Sequence, residues 1–320
     1  MDRRTLLGAV LAPIAGRAFA QGGWPDRVLR IVVPFAPGSF TDVSARLLAN
    51  ELTESLGQSV IVENRGGAGS TAGTLTVARA APDGYTLLLT DNSLAISPGL
   101  YANLPYDPLR DLAQISRIAD SPAILLVRPG LNVRTLAALT ALARQEPEKL
   151  TFGSGGPGSS AHLAMELLLD IAGMRALHVP FRGVAAAIAE MVAGRVDMAI
   201  ASLASGVAHV QSGTLIGLGV TGAQRSSLLP DVPTFAEAGE PRFDVTYWWG
   251  LAVPAGTPSE IIARLHREVV RACAQPRLRE AFLKQAAVAN TSSPQEMAQH
   301  LQREIGVWRD VIARAKVAVQ

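Results

Sequence analysis

Short apolar runs alternate with stretches in which apolar residues recur at every third or fourth position, over most of the chain. The apolar runs predict buried strands over 28–34, 59–63, 85–90, 124–128, 150–152, 177–180, 196–201, 215–221 and 247–254. Helical periodicity lies between them, including 42–56, 71–80, 133–144, 160–172, 184–193 and 202–212. Strands that alternate with helices build mostly parallel sheets with helices on both faces, so the pattern predicts an α/β fold. The last third differs, because 258–274, 277–285 and 294–316 read as three helices with little strand between them. Pro258 and Pro294 fall at first turns, where the N–H that proline lacks has no helical partner anyway. Met297, Leu301, Ile305, Trp308 and Ile312 form a core-facing stripe on the last of these helices.

A strand, a loop of small residues and a helix start recur at 37–42, 66–71 and 153–160. In open α/β sheets, ligands bind outside the carboxyl ends of strands, where such loops gather. Helix starts present N–H groups without intrahelical partners at a positive dipole end, which favours small anions. In Pro37-Gly38-Ser39-Phe40-Thr41-Asp42, Gly38 lets the backbone turn, Ser39 or Thr41 can cap the helix, and Ser39 with Asp42 fits a capping box. Plain capping and ligand binding both suit this loop, and the charge of Asp42 would repel an anion. The run 66–73 lacks the spacing of a phosphate cradle and predicts close helix–strand packing. The run 153–158 matches GxGxxG, but the next strand ends in Phe181-Arg182 and supplies no acid for a ribose. That loop suits a carboxylate instead, through the hydroxyls of Ser154, Ser159 and Ser160 and free N–H groups at the helix start. His162 sits one turn into the helix and reads as a cap, a packing residue or a catalytic base. Asp197 opens an apolar strand as either a structural acid or a ligand reader. Trp248-Trp249 reads as core or as cleft wall.

The N-terminus changes the setting of these loops. Arg3 and Arg4 precede an apolar stretch over 6–15, and Ala18-Phe19-Ala20 fits a cleavage site before Gln21. Residues 1–20 therefore read as a signal peptide and predict a periplasmic protein. Arg3-Arg4-Thr5-Leu6-Leu7 also resembles a twin-arginine signal, so Sec and Tat export both stay open. Removing Arg3, Arg4, Arg17 and Asp2 takes 29 basic and 27 acidic residues to 26 of each. The mature chain is then formally neutral, which gives no footprint for nucleic acid. Cys273, the only cysteine, lies in an apolar helical pattern and reads as a core residue. The histidines are scattered and no HExxH occurs, so neither a metal nor a cofactor is expected.

Ordered motifs from about Trp24 to the C-terminus resemble the Bug family of periplasmic solute receptors, the TctC-like component of tripartite tricarboxylate transporters. They include Ile31-Val32-Val33-Pro34-Phe35 with Pro37-Gly38 and Thr41-Asp42, then Val62-Glu63-Asn64-Arg65 and Ala81-Pro82-Asp83-Gly84-Tyr85-Thr86. Gly153-Ser154-Gly155 with Gly158-Ser159 and His162-Leu163, Leu229-Pro230-Asp231-Val232-Pro233-Thr234 and Pro254-Ala255-Gly256-Thr257-Pro258 follow. The resemblance implies a two-lobed Venus-flytrap receptor and no enzyme, with 21–124 and 248–320 as one domain and 125–247 as the other. Crossovers are expected near 124–128 and 247–254. It implies a small organic carboxylate held between the lobes, a mono-, di- or tricarboxylate or an amino acid, with a membrane permease or a sensor protein as partner. The residues expected at the ligand are Phe35, Gly38, Ser39, Phe40, Thr41, Asp42, Asn92, Ser154, Gly158, Ser159, Ser160, His162, Arg182 and Asp197. Ser39 stands where the family usually has glycine, and Phe181-Arg182 where it usually has Tyr-Lys. A signalling receptor and an exported hydrolase using His162 with a serine of 154–160 are the other readings.

Overall fold

The computed structural model describes residues 23–315 and residue 317. The expected leader and the end of the last predicted helix, Lys316, lie outside the described residues. The chain begins with β1 (Leu29–Val33), α1 (Phe40–Leu56), β2 (Val60–Asn64), α2 (Thr71–Ala78), β3 (Thr86–Asp91) and α3 (Ser93–Leu100). A long strand, β4 (Leu112–Val127), leads into α4 (Leu136–Gln145), β5 (Thr151–Ser154), α5 (Ser160–Ala172) and β6 (Leu177–Pro180). Then come α6 (Val184–Val192), β7 (Met198–Ser202), α7 (Leu203–Gln211) and β8 (Ile216–Val220). The chain closes with β9 (Thr246–Pro254), α8 (Ser259–Ala274), α9 (Pro276–Leu283), β10 (Val288–Ala289) and α10 (Pro294–Ala315).

The strands follow the order β2-β1-β3-β9-β4-β7-β5-β6, with β8 and β10 also paired to β4. Pairing is parallel among β1, β2 and β3 and among β5, β6 and β7. Around β4 and β9, at the centre, it is antiparallel. The fold is thus α/β and two-lobed, with parallel outer strands joined by antiparallel central ones. Residues 112–122 of β4 pair with β9, and residues 123–127 pair with β7 and β8. One strand therefore runs through both lobes.

The sequence pattern finds only the end of β4, because register shifts between Gln114 and Ser116 and between Arg117 and Ala119 break the period of two. Its polar residues are absorbed by local bonds: Ser116 Oγ donates to Ser292 O at 2.8 Å and Ser121 Oγ to Ala286 O at 2.9 Å. Helix α3 is absent from the sequence reading because Pro98 lies inside it. It forms because Asp91 accepts the Ser93 N–H at 2.9 Å and because α10 packs on it. At Gly99 a Cβ would stand 2.9 Å from the Arg309 side chain of α10. Met297, Leu301, Ile305, Trp308 and Ile312 are buried along α10, as their spacing predicts. Cys273 is also core, where burial pushes its thiol up to about 12.

Candidate functional site: a cleft at three helix N-termini

The loop after β1 turns at Gly38, whose φ of 97° lies in the left-handed region. Ser39 has extended backbone and caps α1, its hydroxyl accepting the Asp42 N–H at 3.4 Å. The Asp42 carboxylate faces back into the loop. It accepts from Gly38 N–H at 3.2 Å, from Asn64 Nδ2 at 2.9 Å and from Arg46. Burial alone would raise the Asp42 pKa, but the bonds from Arg46, Asn64 and Gly38 outweigh it and the net shift is downward. Asp42 thus holds the loop's shape with an ionised carboxylate. Phe40 meets Trp249 edge-on at 4.4 Å between ring centroids, and Trp249 Nε1 donates to Thr41 Oγ1 at 3.0 Å.

Two further helix starts face this one. Ser159 caps α5 by accepting the His162 N–H, and Ser202 caps α7 by accepting the Ser205 N–H, each at 3.3 Å. The three termini open on one cavity. Phe35, Ser39, Phe40 and Thr41 line it from the first lobe; Gly155, Ser159, Ser160 and Ala161 line it from the second, with Val184, Ala201, Ser202 and Ser205. Asp91, Tyr247 and Trp249 complete the wall. The rims touch: Ala36 N–H donates to Arg182 O at 3.3 Å, and Ser160 N–H donates to Ser93 Oγ at 3.3 Å.

Asp91 was not among the residues expected from sequence. It is 6 % exposed and accepts from Ser93 N–H at 2.9 Å and from Ser160 Oγ at 3.4 Å. Burial raises its pKa, against the pull of those bonds. Tyr247 is 4 % exposed, and its hydroxyl has no hydrogen-bond partner among the described residues. Burial and then the charge of Asp91 push its phenol pKa upward. Ser202 repeats the strand–small residue–helix signal of the other two loops. An acid directly after the apolar run of β3 is the signal that would have found Asp91.

Several expected residues sit elsewhere. Asp42 turns away from the cavity, as described. Asn92 is spent on structure: Nδ2 donates to Thr246 O at 3.0 Å and Oδ1 accepts the Trp248 N–H at 3.1 Å. Ser154 is fully buried, with its hydroxyl 2.6 Å from His178 Nε2. Burial and then neighbouring His162 depress the His178 pKa to about 3, so that imidazole is neutral. His162 Nδ1 accepts the Gly158 N–H at 3.1 Å and its ring stacks on His178 at 4.0 Å, so both Gly158 and His162 brace the loop and do not line the cavity. No serine of 154–160 is bonded to His162 through its side-chain nitrogens among the described contacts; the serine–imidazole contact formed there is Ser154 with His178, and neither residue lines the cavity. Arg182 is exposed, and only its carbonyl takes part in the rim. Gly38 shapes the loop from beside the cavity.

Asp197 lies at the opposite end of its strand from the cleft. It bonds Arg128 at 2.8 Å and accepts from the N–H and hydroxyl of Thr151 at 2.8 and 2.9 Å. Asp197→Ala leaves those donors unmatched and is expected to lower stability by roughly 2–3 kcal/mol, below the range for a fully buried pair. Ligand affinity should stay at the wild-type value. Urea unfolding with calorimetric titration checks both, and a loss of affinity at unchanged stability would make Asp197 a ligand contact after all.

The sequence model of the family described as "Tripartite tricarboxylate transporter family receptor" matches residues 44–317. A UPF0065 protein in the tcbD–tcbE intergenic region of Pseudomonas sp. is 38% identical over 319 residues, 98% of this chain and 95% of that protein. MatC from Rhodopseudomonas palustris, solved with bound malate, is 33% identical with a TM-score of 0.87, covering 90% of this chain and 100% of that one. R. palustris Rpa4515, solved with adipate, is 33% identical with a TM-score of 0.89, covering 92% and 99%.

Proposed function

This chain belongs to the tripartite tricarboxylate transporter family of receptors, periplasmic solute-binding proteins, and from that premise we propose that it captures a small organic carboxylate in the cleft described above. The observation that carries the reading is the convergence of three helix N-termini on one cavity. First-turn N–H groups lack partners within their own helices, and their dipoles add at the point where the termini meet. Hydrogen bonds to a charged oxygen contribute about 1.5–3 kcal/mol each, so three or four reach the roughly 8 kcal/mol of micromolar binding after desolvation. Solved relatives with malate and with adipate support the same ligand class.

The bound receptor would then deliver its ligand to the membrane permease of a tripartite tricarboxylate-type transporter. Residues 1–20 would serve as the export leader. The lobes would comprise 21–124 with 248–320, and 125–247. The change of β4 partners between Pro122 and Ala123 supports that division. Closure of the lobes would bend β4 there, just ahead of the expected 124–128, and the returning chain just ahead of β9, since 247–254 itself pairs with β3 and β4; ligand would select the closed form.

Thermal unfolding in saturating malate, adipate and citrate tests the reading. At about 100 times Kd a binding acid should raise Tm by roughly 5 °C. A rise with neutral sugars and none with any acid would remove the carboxylate claim.

A further inference from the structure

The cleft wall contains an acid where a receptor for anions has least use for one. Asp91 is buried in the cavity, held by the Ser93 N–H and by neutral hydroxyls alone. None of the described residues lining that cavity is Lys, Arg or His. A carboxylate withdrawn from water without a counter-charge is costly. The helix N-termini offset part of that cost, but a second carboxylate arriving at the same termini restores it through like-charge repulsion. Such an acid either keeps its proton or takes a positive charge from the ligand. Beside this acid, the Tyr247 hydroxyl is buried, lines the same cavity and has no partner among the described residues.

We propose that Asp91 and Tyr247 form a cation subsite within the cleft, so that the ligand is a carboxylate that also carries a protonated nitrogen. The inference rests on the carboxylate reading and narrows it. An ammonium group has three donors and no acceptor. The Asp91 carboxylate, the Tyr247 Oη and the Ser160 Oγ all belong to residues lining the cavity and supply three acceptors. The ammonium cancels the charge of Asp91 and leaves the helix termini at Ser39 and Ser202 to the ligand's carboxylate. Ser160 ties this subsite to closure, since it belongs to α5 whereas Asp91 ends β3 and Tyr247 belongs to β9.

The test is calorimetric titration with acids matched in carbon skeleton: aspartate against succinate, glutamate against glutarate, and 2-aminoadipate against adipate. In at least one pair the aminated acid should bind about 10- to 100-fold tighter, the value of one charged hydrogen-bond pair. Asp91→Asn keeps the size of the side chain and an acceptor for Ser93 N–H, and should bring that ratio close to one. Should Asp91→Asn fail to fold, Tyr247→Phe takes its place, with an expected fall in the ratio of about three- to tenfold. Deaminated acids binding as tightly as their partners in every pair would overturn the cation subsite and leave the carboxylate reading intact. An amine preference that survives Asp91→Asn would overturn the role of Asp91. A neutral Asp91 that donates to a carboxylate would appear as deaminated acids preferred by wild type and retained by Asp91→Asn, whose amide also donates. Failure of all six acids to bind would overturn both readings.

Discussion

Replacing Gly69 by alanine is expected to weaken ligand binding by about 30- to 100-fold while leaving a folded protein. Gly69 lies in the short 3₁₀ turn Ala68–Ser70 at the rim of the first lobe. A Cβ there would stand 2.1 Å from Pro157 O on the opposite rim, more than 1 Å short of the 3.4 Å at which ordinary contact begins. The obstructing atom is a backbone oxygen, which cannot swing aside as a side chain does. The same oxygen lies 3.2 Å from the Tyr101 hydroxyl, which also reaches Ala68 O at 3.0 Å, so the two rims are tied at this point. The rims must part to admit the methyl group, and the arrangement that surrounds the cleft is disfavoured by about 2–3 kcal/mol. Affinity falls by the same factor, because a ligand that needs the closed form pays for its reduced population. Backbone strain adds a second, separable effect: the φ of 59° at Gly69 costs alanine about 1 kcal/mol of stability. Gly57→Ala is the control. Its φ is 68° with nothing within 4 Å of a Cβ, so it carries the backbone strain without the rim clash. It should melt a few degrees early and bind as wild type, by about the shift that 1 kcal/mol gives. A Gly69→Ala protein that binds within about threefold of wild type would mean that the rims need not meet for binding.

Trp249→Ala is expected to lower stability by about 3–5 kcal/mol and Tm by roughly 10 °C. Trp249 is 2 % exposed on β9 and has a double role. Its ring packs on Phe40, which in turn meets Phe282 of α9 at 5.4 Å, joining the start of α1 to the C-terminal helices. Its Nε1 donates to Thr41 Oγ1, so the first turn of α1 is fixed to the central sheet by a polar and an apolar contact together. Truncation leaves a cavity, an unmatched Thr41 hydroxyl and an open side to the cleft. Trp249→Phe restores most of the volume and loses only the hydrogen bond, which should cost about 1 kcal/mol. Chemical denaturation of both variants gives the comparison. An alanine variant as stable as the phenylalanine one would show that packing at this wall is not what holds α1 in place.

Ser39, Phe40, Thr41, Ser159 and Ser160 are visible because a strand, small residues and a cap follow one another within a few positions. Their convergence on one cavity is a property of the sheet order, which brings β1 and β5 loops to one mouth. Asp42, Asn92, Ser154, His162 and Asp197 have the chemistry of ligand residues, but each spends its polar atoms on neighbouring backbone or side chains. A sequence shows which residue types lie near a loop and does not show which way their hydrogen bonds run. Asp91 and Tyr247 show the reverse. They are 156 positions apart in the chain, one at the end of β3 and the other in β9, yet antiparallel pairing of β3 with β9 sets both at the cavity.

The alternation of apolar strands with amphipathic helices, a cap at the start of α1, and the core stripe of α10 were determined by the sequence alone, because each depends on residues within a few positions of one another. Only the tertiary structure decided the long β4, whose register shifts hide its period, and α3, which forms despite Pro98 because α10 covers it. It also decided which acid faces the cleft. Asp197 and Asp91 both adjoin buried strands, but Arg128 and Thr151 claim the first, while a cavity with an unpartnered tyrosine faces the second. Burial and partner choice arise from segments distant in the chain, and only folding brings those segments together.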